Sequence, residues 1–171
     1  MLTKRLGRYS LELAEKKTKL LRFGRFASRD CQRLGEGSPR TFEFLGFKHY
    51  CGQSRAGKFK LKRKTSAKKC GAKVRELKDW FRTQLRTPIT EVWPTLVRKL
   101  KGHFGYFHVY DNWKMLMKYR EAARLLGLHW MRRRSQKGRN LSWEAYTRFL
   151  THHPLPMPGR LTDLIAMEKP R

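Results

Sequence analysis

Two hydrophobic periods divide this chain of 171 residues. Between Thr41 and Thr65 apolar and polar positions tend to alternate; after Ser66 apolar residues return every third or fourth position. Alternation places every second side chain on one face of a strand, and the longer period builds a stripe along a helix. TFEFLGFKHY, residues 41–50, is dense in strand-favouring side chains: Thr41, Phe42, Phe44, Leu45, Phe47 and Tyr50. Gly46 interrupts the run and predicts a bulge or a close backbone approach. The loop CGQSRAG follows, and KFKLKRK resumes the strand, which makes a hairpin with a loop longer than two residues. In that second strand Phe59 and Leu61 are expected to face a core. Lys58, Lys60, Lys62 and Lys64 then line the other face, about 6.6 Å apart by the strand rise. Upstream, residues 1–27 read as a short helix or turn, then LEL, then KTKLLRFGRF, whose Leu20, Leu21, Phe23 and Phe26 fit a strand. CQRLGEGSPR, residues 31–40, reads as a loop from its Gly, Ser and Pro.

From Ser66, a candidate N-cap, Cys70, Val74, Leu77, Phe81 and Leu85 share one helical face. Thr87 and Pro88 fit a cap and first position of the next helix. Its wide stripe is Ile89, Val92, Trp93, Leu96, Val97, Leu100, Phe104 and Phe107. Pro94 sits inside this stripe, so the helix either kinks there or begins there. Asp111 or Asn112 is placed to cap a third helix with Leu116, Tyr119, Ala123, Leu126 and Trp130 inward. MRRRSQKGRN is expected to end it in a basic loop. A fourth helix starts near Ser142, with Leu141 and Tyr146 at staple positions, and HHPLPMP stops it. Trp80, Trp93, Trp113, Trp130 and Trp143 are all expected to be structural. The fold class is therefore α+β: a β-rich piece with an antiparallel hairpin over residues 1–65, then a bundle of three or four helices over 66–171.

Charge changes this picture most. The chain has 41 Lys and Arg against 13 Asp and Glu, a net +28. Self-repulsion on this scale opposes compaction, and a polyanionic partner is the usual compensation. The basic residues cluster: no Asp or Glu occurs from Phe44 to Arg75. GKFKLKRKTSAKK holds Lys58, Lys60, Lys62, Arg63, Lys64, Lys68 and Lys69. Lysines on an edge strand also deter aggregation, but one or two suffice for that, so the row is read as a phosphate-tracking surface. A second patch comprises Arg132, Arg133, Arg134, Lys137 and Arg139, and arginine suits planar bidentate phosphate contacts. In KGHFGYFHVYDNWKMLMKYR basic and aromatic residues interleave, the composition of a surface that stacks unpaired bases. Phe104 and Phe107 belong to the core stripe, which leaves Lys101, Tyr106, His108 and Tyr110 as the exposed candidates. No segment is long and apolar enough to span a membrane, and an anionic membrane surface is the lesser alternative to nucleic acid.

Catalytic patterns are missing. Cys31, Cys51 and Cys70 form no C-x-x-C pair, and their odd number without a signal peptide points to a reducing compartment. Glu12 and Glu15 argue against a transit peptide. Glu12 with Glu15, and Glu76 with Asp79, read as ion-pair partners of neighbouring bases on helices. His152 and His153 precede prolines and are expected to be exposed. No H-E-x-x-H, P-loop or G-x-S-x-G pattern occurs, and no adjacent carboxylates stand ready to gather two metal ions.

LELAEKKTKLLRFGRFA, TFEFLGFKHY and GKFKLKRKTS resemble the last reverse transcriptase segments of group II intron-encoded proteins. The helical part is similar to their maturase-specific region, domain X, which forms the thumb. The matching positions are Ile89, Trp93, Leu96 and KLKGHFGYF, then WMRRRSQ, LSWEAYTRFL and HPLPMP. The resemblance covers essentially the whole chain. It implies binding of a group II intron RNA to promote splicing, and of an RNA/DNA template–primer duplex on the basic surface. It also implies that Phe44, Leu45 and Gly46 lie near a primer end. The palm's Tyr-x-Asp-Asp motif is not in this sequence, and LTDLIAMEKPR carries no Cys or His for a zinc-containing endonuclease module. The expectation is thus a C-terminal part of such a protein without catalysis of its own. No cofactor is expected in this chain, since Mg2+ belongs to the palm. A palm-containing chain is a conceivable partner, and the location is expected to be cytoplasmic and RNA- or nucleoid-associated. The alternatives are a subunit completing a split polymerase and a degenerate nonspecific binder.

Overall fold

A computed structural model describes residues 2–14 and 18–159, with the side chains of Leu2 and Lys137 left out. Glu15 and the segment LTDLIAMEKPR, used above, lie outside the described residues. The element order is α1 (Leu2–Gly7), α2 (Ala27–Arg33), β1 (Phe42–Phe44), β2 (Phe47–Gln53) and β3 (Phe59–Thr65). Then come α3 (Ala67–Thr83), α4 (Ile89–Tyr106), a 3-10 turn (Tyr110–Asn112), α5 (Trp113–Arg134), α6 (Gln136–Arg139) and α7 (Trp143–His152). The strands form one antiparallel sheet in the order β1-β2-β3, and the helices follow, so the class is α+β. The chain divides into two compact units. The first is Met1–Phe42 with Tyr50–Leu61, and the second is Glu43–His49 with Lys62–Arg171.

In the first unit, KTKLLRFGRF is not a strand. Residues 18–23 have no regular structure, and Gly24 turns the chain at φ +124° into α2. Apolar positions at 20, 21, 23 and 26 fit no period of two, so no single face would be apolar. CQR, read as loop, is the last turn of α2. Local links hold this unit: Arg22 pairs with Glu36 at 2.8 Å, Phe23 meets Phe42 edge-on at 5.0 Å, and Arg29 lies over the Phe26 ring. The Cys51 thiol sits 3.5 Å from the Gly24 N–H and 3.7 Å from its carbonyl oxygen. Among the described residues of this unit only Ala27 and Cys31 are buried. Phe59, expected inside, is 38% exposed and Leu61 is half-buried, so that face of β3 is left partly open among the described residues.

The second unit carries the core. Leu77 and Phe81 of α3 meet Val92, Trp93, Leu96, Leu100 and Phe104 of α4, with Leu116, Tyr119, Ala123 and Trp130 of α5 and Tyr146 of α7. The Ser66 hydroxyl caps α3 by accepting from the Lys69 N–H, and Ser142 caps α7 by accepting from the Ala145 N–H. Leu85 lies past the end of α3 yet still packs on the core. Pro88 itself occupies the cap position of α4. Pro94 lies inside that helix near its N-terminal end, so it does not begin there. Arg132, Arg133 and Arg134 are helical, and α6 follows, where a basic loop was expected. Burial along α5 continues to Met131, which carries the helix past the predicted stop. Trp113 and Trp143 are not core: they are 40% and 38% exposed. Each starts a helix, where its ring projects past the stripe, and Trp143 lies under the Arg124 guanidinium at 4.3 Å. Gly127 gives Tyr146 its seat: a Cβ there would come within 2.8 Å of the Tyr146 hydroxyl, which donates to the Arg124 carbonyl at 2.7 Å.

Asn112 makes no side-chain cap. It is fully buried, its Oδ1 accepting from the Thr65 N–H at 2.7 Å. Its Nδ2 donates to the Thr65 hydroxyl at 2.8 Å and to the Phe107 carbonyl at 3.1 Å. This clip ties the end of β3 to the α4–α5 junction.

Candidate nucleic-acid interface

Leu45 and Gly46 form a two-residue turn between β1 and β2, with φ of +49° and +81°. Positive φ at both central residues marks a type I′ hairpin, whose twist matches its strands. TFEFLGFKHY is therefore two strands, and Gly46 makes the turn rather than a bulge. The expected close approach is present: a Cβ on Gly46 would stand 3.5 Å from the Phe107 ring. Leucine at positive φ is strained by roughly 1–2 kcal/mol, and contacts within the second unit hold it. The Tyr106 hydroxyl donates to the Leu45 carbonyl at 3.3 Å, and the Ser66 N–H to the Gly46 carbonyl at 3.1 Å. Leu45 is nonetheless 67% exposed and Phe44 is exposed beside it.

Beneath the turn lies a pocket of about 640 Å³. Helix α3 contributes Lys69, Lys73, Glu76 and Leu77, spaced to share one face; α4 contributes Lys99, Gly102, His103 and Tyr106 in the same way. Lys73 donates to Glu76 at 2.7 Å, and this bond, ahead of any other cause, holds the Glu76 carboxyl below its usual range. His103 stacks on Tyr119 with centroids 4.0 Å apart and lies 4.8 Å from the Phe107 ring. Burial pushes its pKa down to about 4, with Lys73 assisting, so the imidazole is neutral near pH 7. Burial likewise pushes the Tyr119 hydroxyl up to about 12.

The sequence candidates distribute unevenly around this site. Lys69, Tyr106, Leu45 and Gly46 line it, and Tyr106 is 62% exposed. Lys68 and Lys101 are exposed on the same two helices but do not line the pocket. His108 is half-buried and faces the chain at Gly159. Lys58 and Lys60 belong to the first unit, and Lys62, Arg63 and Lys64 to the second. Of these, Lys58 and Lys64 are exposed and the others half-buried. In the second patch Arg132, Arg133 and Arg139 are exposed and Arg134 is half-buried. Arg132 donates twice to the Leu141 carbonyl, at 3.0 and 2.8 Å, and Arg134 donates to the Thr87 carbonyl while lying over Trp130. Those two guanidinium groups hold the fold as well as the surface. The side chain of Lys137 lies outside the description.

Lys73, Glu76, Lys99, Gly102 and His103 were not among the site candidates, although Glu76 was read as an ion-pair partner and does pair with Lys73. The signal was present as spacings of three and four on two helices, but nothing in the sequence said that those faces converge. Among the described residues no group of His, Cys, Asp and Glu is placed to hold a metal ion. None of their helices is long and apolar enough to cross a membrane. No protein-family model matches the chain, and no curated protein or solved structure matches it either.

Proposed function

We propose that this protein is an RNA-binding module that grips structured RNA through its basic faces, in the role that the resemblance to group II intron maturases implies. Its partner is then an intron RNA, whose folding and splicing it promotes, and the same surface holds a template–primer duplex. The observation that carries this reading is the convergence of Lys69, Lys73 and Lys99 with exposed Tyr106 around the Leu45–Gly46 turn. Cations with a stacking ring suit phosphate and unpaired base together. The net charge of +28 adds long-range attraction for the same ligand.

A salt-titrated binding assay with a folded group II intron RNA tests the proposal, with unrelated structured RNA and duplex DNA as competitors. With about six to ten phosphates engaged, affinity falls by ~10³ to 10⁵ between about 50 and 200 mM salt. Intron RNA survives competition near physiological salt. Changing Lys58, Lys60, Lys62 and Lys64 to Ala flattens the salt dependence by about one unit of slope for each lost contact. Equal competition by all three polyanions removes the intron-specific part, and no binding at low salt removes the whole.

A second reading has its own observation. The first unit leaves Leu11, Leu20 and Phe26 exposed. A palm-containing chain that covers them would complete a polymerase. Aggregation of the isolated protein, relieved by such a chain, is its expected result, and monodisperse behaviour alone argues against it.

A further inference from the structure

We propose that the pocket beneath the Leu45–Gly46 turn receives one unstacked RNA nucleotide, its base against Tyr106 over a floor of His103, Phe107 and Tyr119 and its phosphate on Lys69, Lys73 and Lys99. The inference rests on the RNA-binding reading and names the site at which a single base is taken.

Volume and lining agree with this ligand. A space of about 640 Å³ falls within the range of small-molecule sites. The exposed ring on its wall is Tyr106, 62% exposed; His103, Phe107 and Tyr119 pack on one another at 4.0 to 4.8 Å and close the floor. Sequence-specific RNA contacts use bases splayed out of the helix and stacked on such rings. Three lysines against the single carboxylate of Glu76 leave the lining cationic, which favours a ligand carrying phosphate over a neutral apolar one. Lys73 is fixed at the lining by Glu76 at 2.7 Å, while the Lys99 ammonium lies over the neighbouring Trp80 ring.

The polar groups on the wall set a preference among bases. Glu76, kept ionised by Lys73, accepts hydrogen bonds only. Guanine presents two adjacent N–H donors on its pairing edge and satisfies a carboxylate; adenine presents a ring-nitrogen acceptor there and opposes it. Neutral His103 supplies one donor and one acceptor.

Gly102 supplies the means of testing this. It lines the pocket from α4, and a Cβ added there meets nothing within 4 Å. Gly102→Leu therefore places a side chain at the pocket and leaves the helix intact. The probes are two RNA hairpins, identical except that one carries a single bulged guanosine and the other an abasic residue at that place. The full chain is expected to bind the bulged hairpin about tenfold more tightly, within the range of one stacked base. Gly102→Leu should abolish that difference, and an unaltered far-UV circular dichroism spectrum and thermal midpoint show that the variant is folded. Equal affinity of the unaltered protein for both hairpins overturns the pocket and leaves RNA binding standing. Failure to bind either hairpin at low salt overturns both. A bulged adenosine bound as tightly as the guanosine would remove the role given to Glu76.

Discussion

The two units of this molecule are both rich in large apolar residues, yet they use them differently. In the second unit the stripes of α3, α4, α5 and α7 converge, and Leu96, Leu100, Leu116, Ala123 and Tyr146 are fully buried. In the first, Leu20 is 99% exposed and the phenyl rings of Phe23 and Phe42 meet each other rather than a core. Hydrophobic content therefore does not by itself make a core. Burial needs elements long enough to present a continuous face, and α1 and α2 are only six and seven residues long. The second unit has the means to be stable by its own packing, while the first depends on local pairs such as Arg22–Glu36, and exposed ion pairs contribute little.

The largest expected effect tests that contrast directly. Leu96→Ala should lower the unfolding free energy by about 3–4 kcal/mol through lost burial and a residual cavity. Leu20→Ala should stay within about 0.5 kcal/mol. Urea denaturation of both variants decides it, and comparable losses would mean that Leu20 has a partner in solution.

The buried clip comes next. Asn112→Ala strands the Thr65 N–H and hydroxyl, while the Phe107 carbonyl keeps the Val109 N–H at 2.9 Å, and should cost about 2–3 kcal/mol. A loss below about 0.5 kcal/mol would show that water replaces the amide. Asn112→Asp sharpens the result, because it removes the Nδ2 donor and keeps an acceptor for Thr65.

The smallest effect is a pH dependence. His103 has its pKa depressed in the folded state, so the unfolded chain binds the additional proton between about pH 6.5 and 4. Stability from this group is complete above that window and declines as pH falls through it. With the ring only half-buried, solvent screening holds the change to about 1 kcal/mol. Stability curves of the protein and of His103→Gln should diverge between pH 7 and pH 4 and run parallel above pH 7; parallel curves throughout would place the imidazole in water.

Helices α3, α4, α5 and α7 were legible because their causes are local, whereas the short α2 and α6 were not. Ser66 and Ser142 cap as their positions dictate, and the stripe from Ile89 to Phe107 is the core face that its spacing predicts. The β2–β3 hairpin was legible for the same reason, and so was the exposure of Tyr106. Three features required the tertiary structure. Leu45 enters a left-handed turn against its own preference, since the hairpin is pinned from outside by Tyr106 and Ser66. Asn112 keeps its cap position but its side chain turns from capping, because Thr65, 47 residues away in sequence, exchanges two hydrogen bonds with it in a dry environment. Lys69, Lys73 and Lys99 become one cationic lining only when α3 and α4 bring their polar edges to the same opening. Periodicity states which face of an element is buried. Which exposed faces meet depends on how the cores pack, and that is a property of contacts between residues distant along the chain.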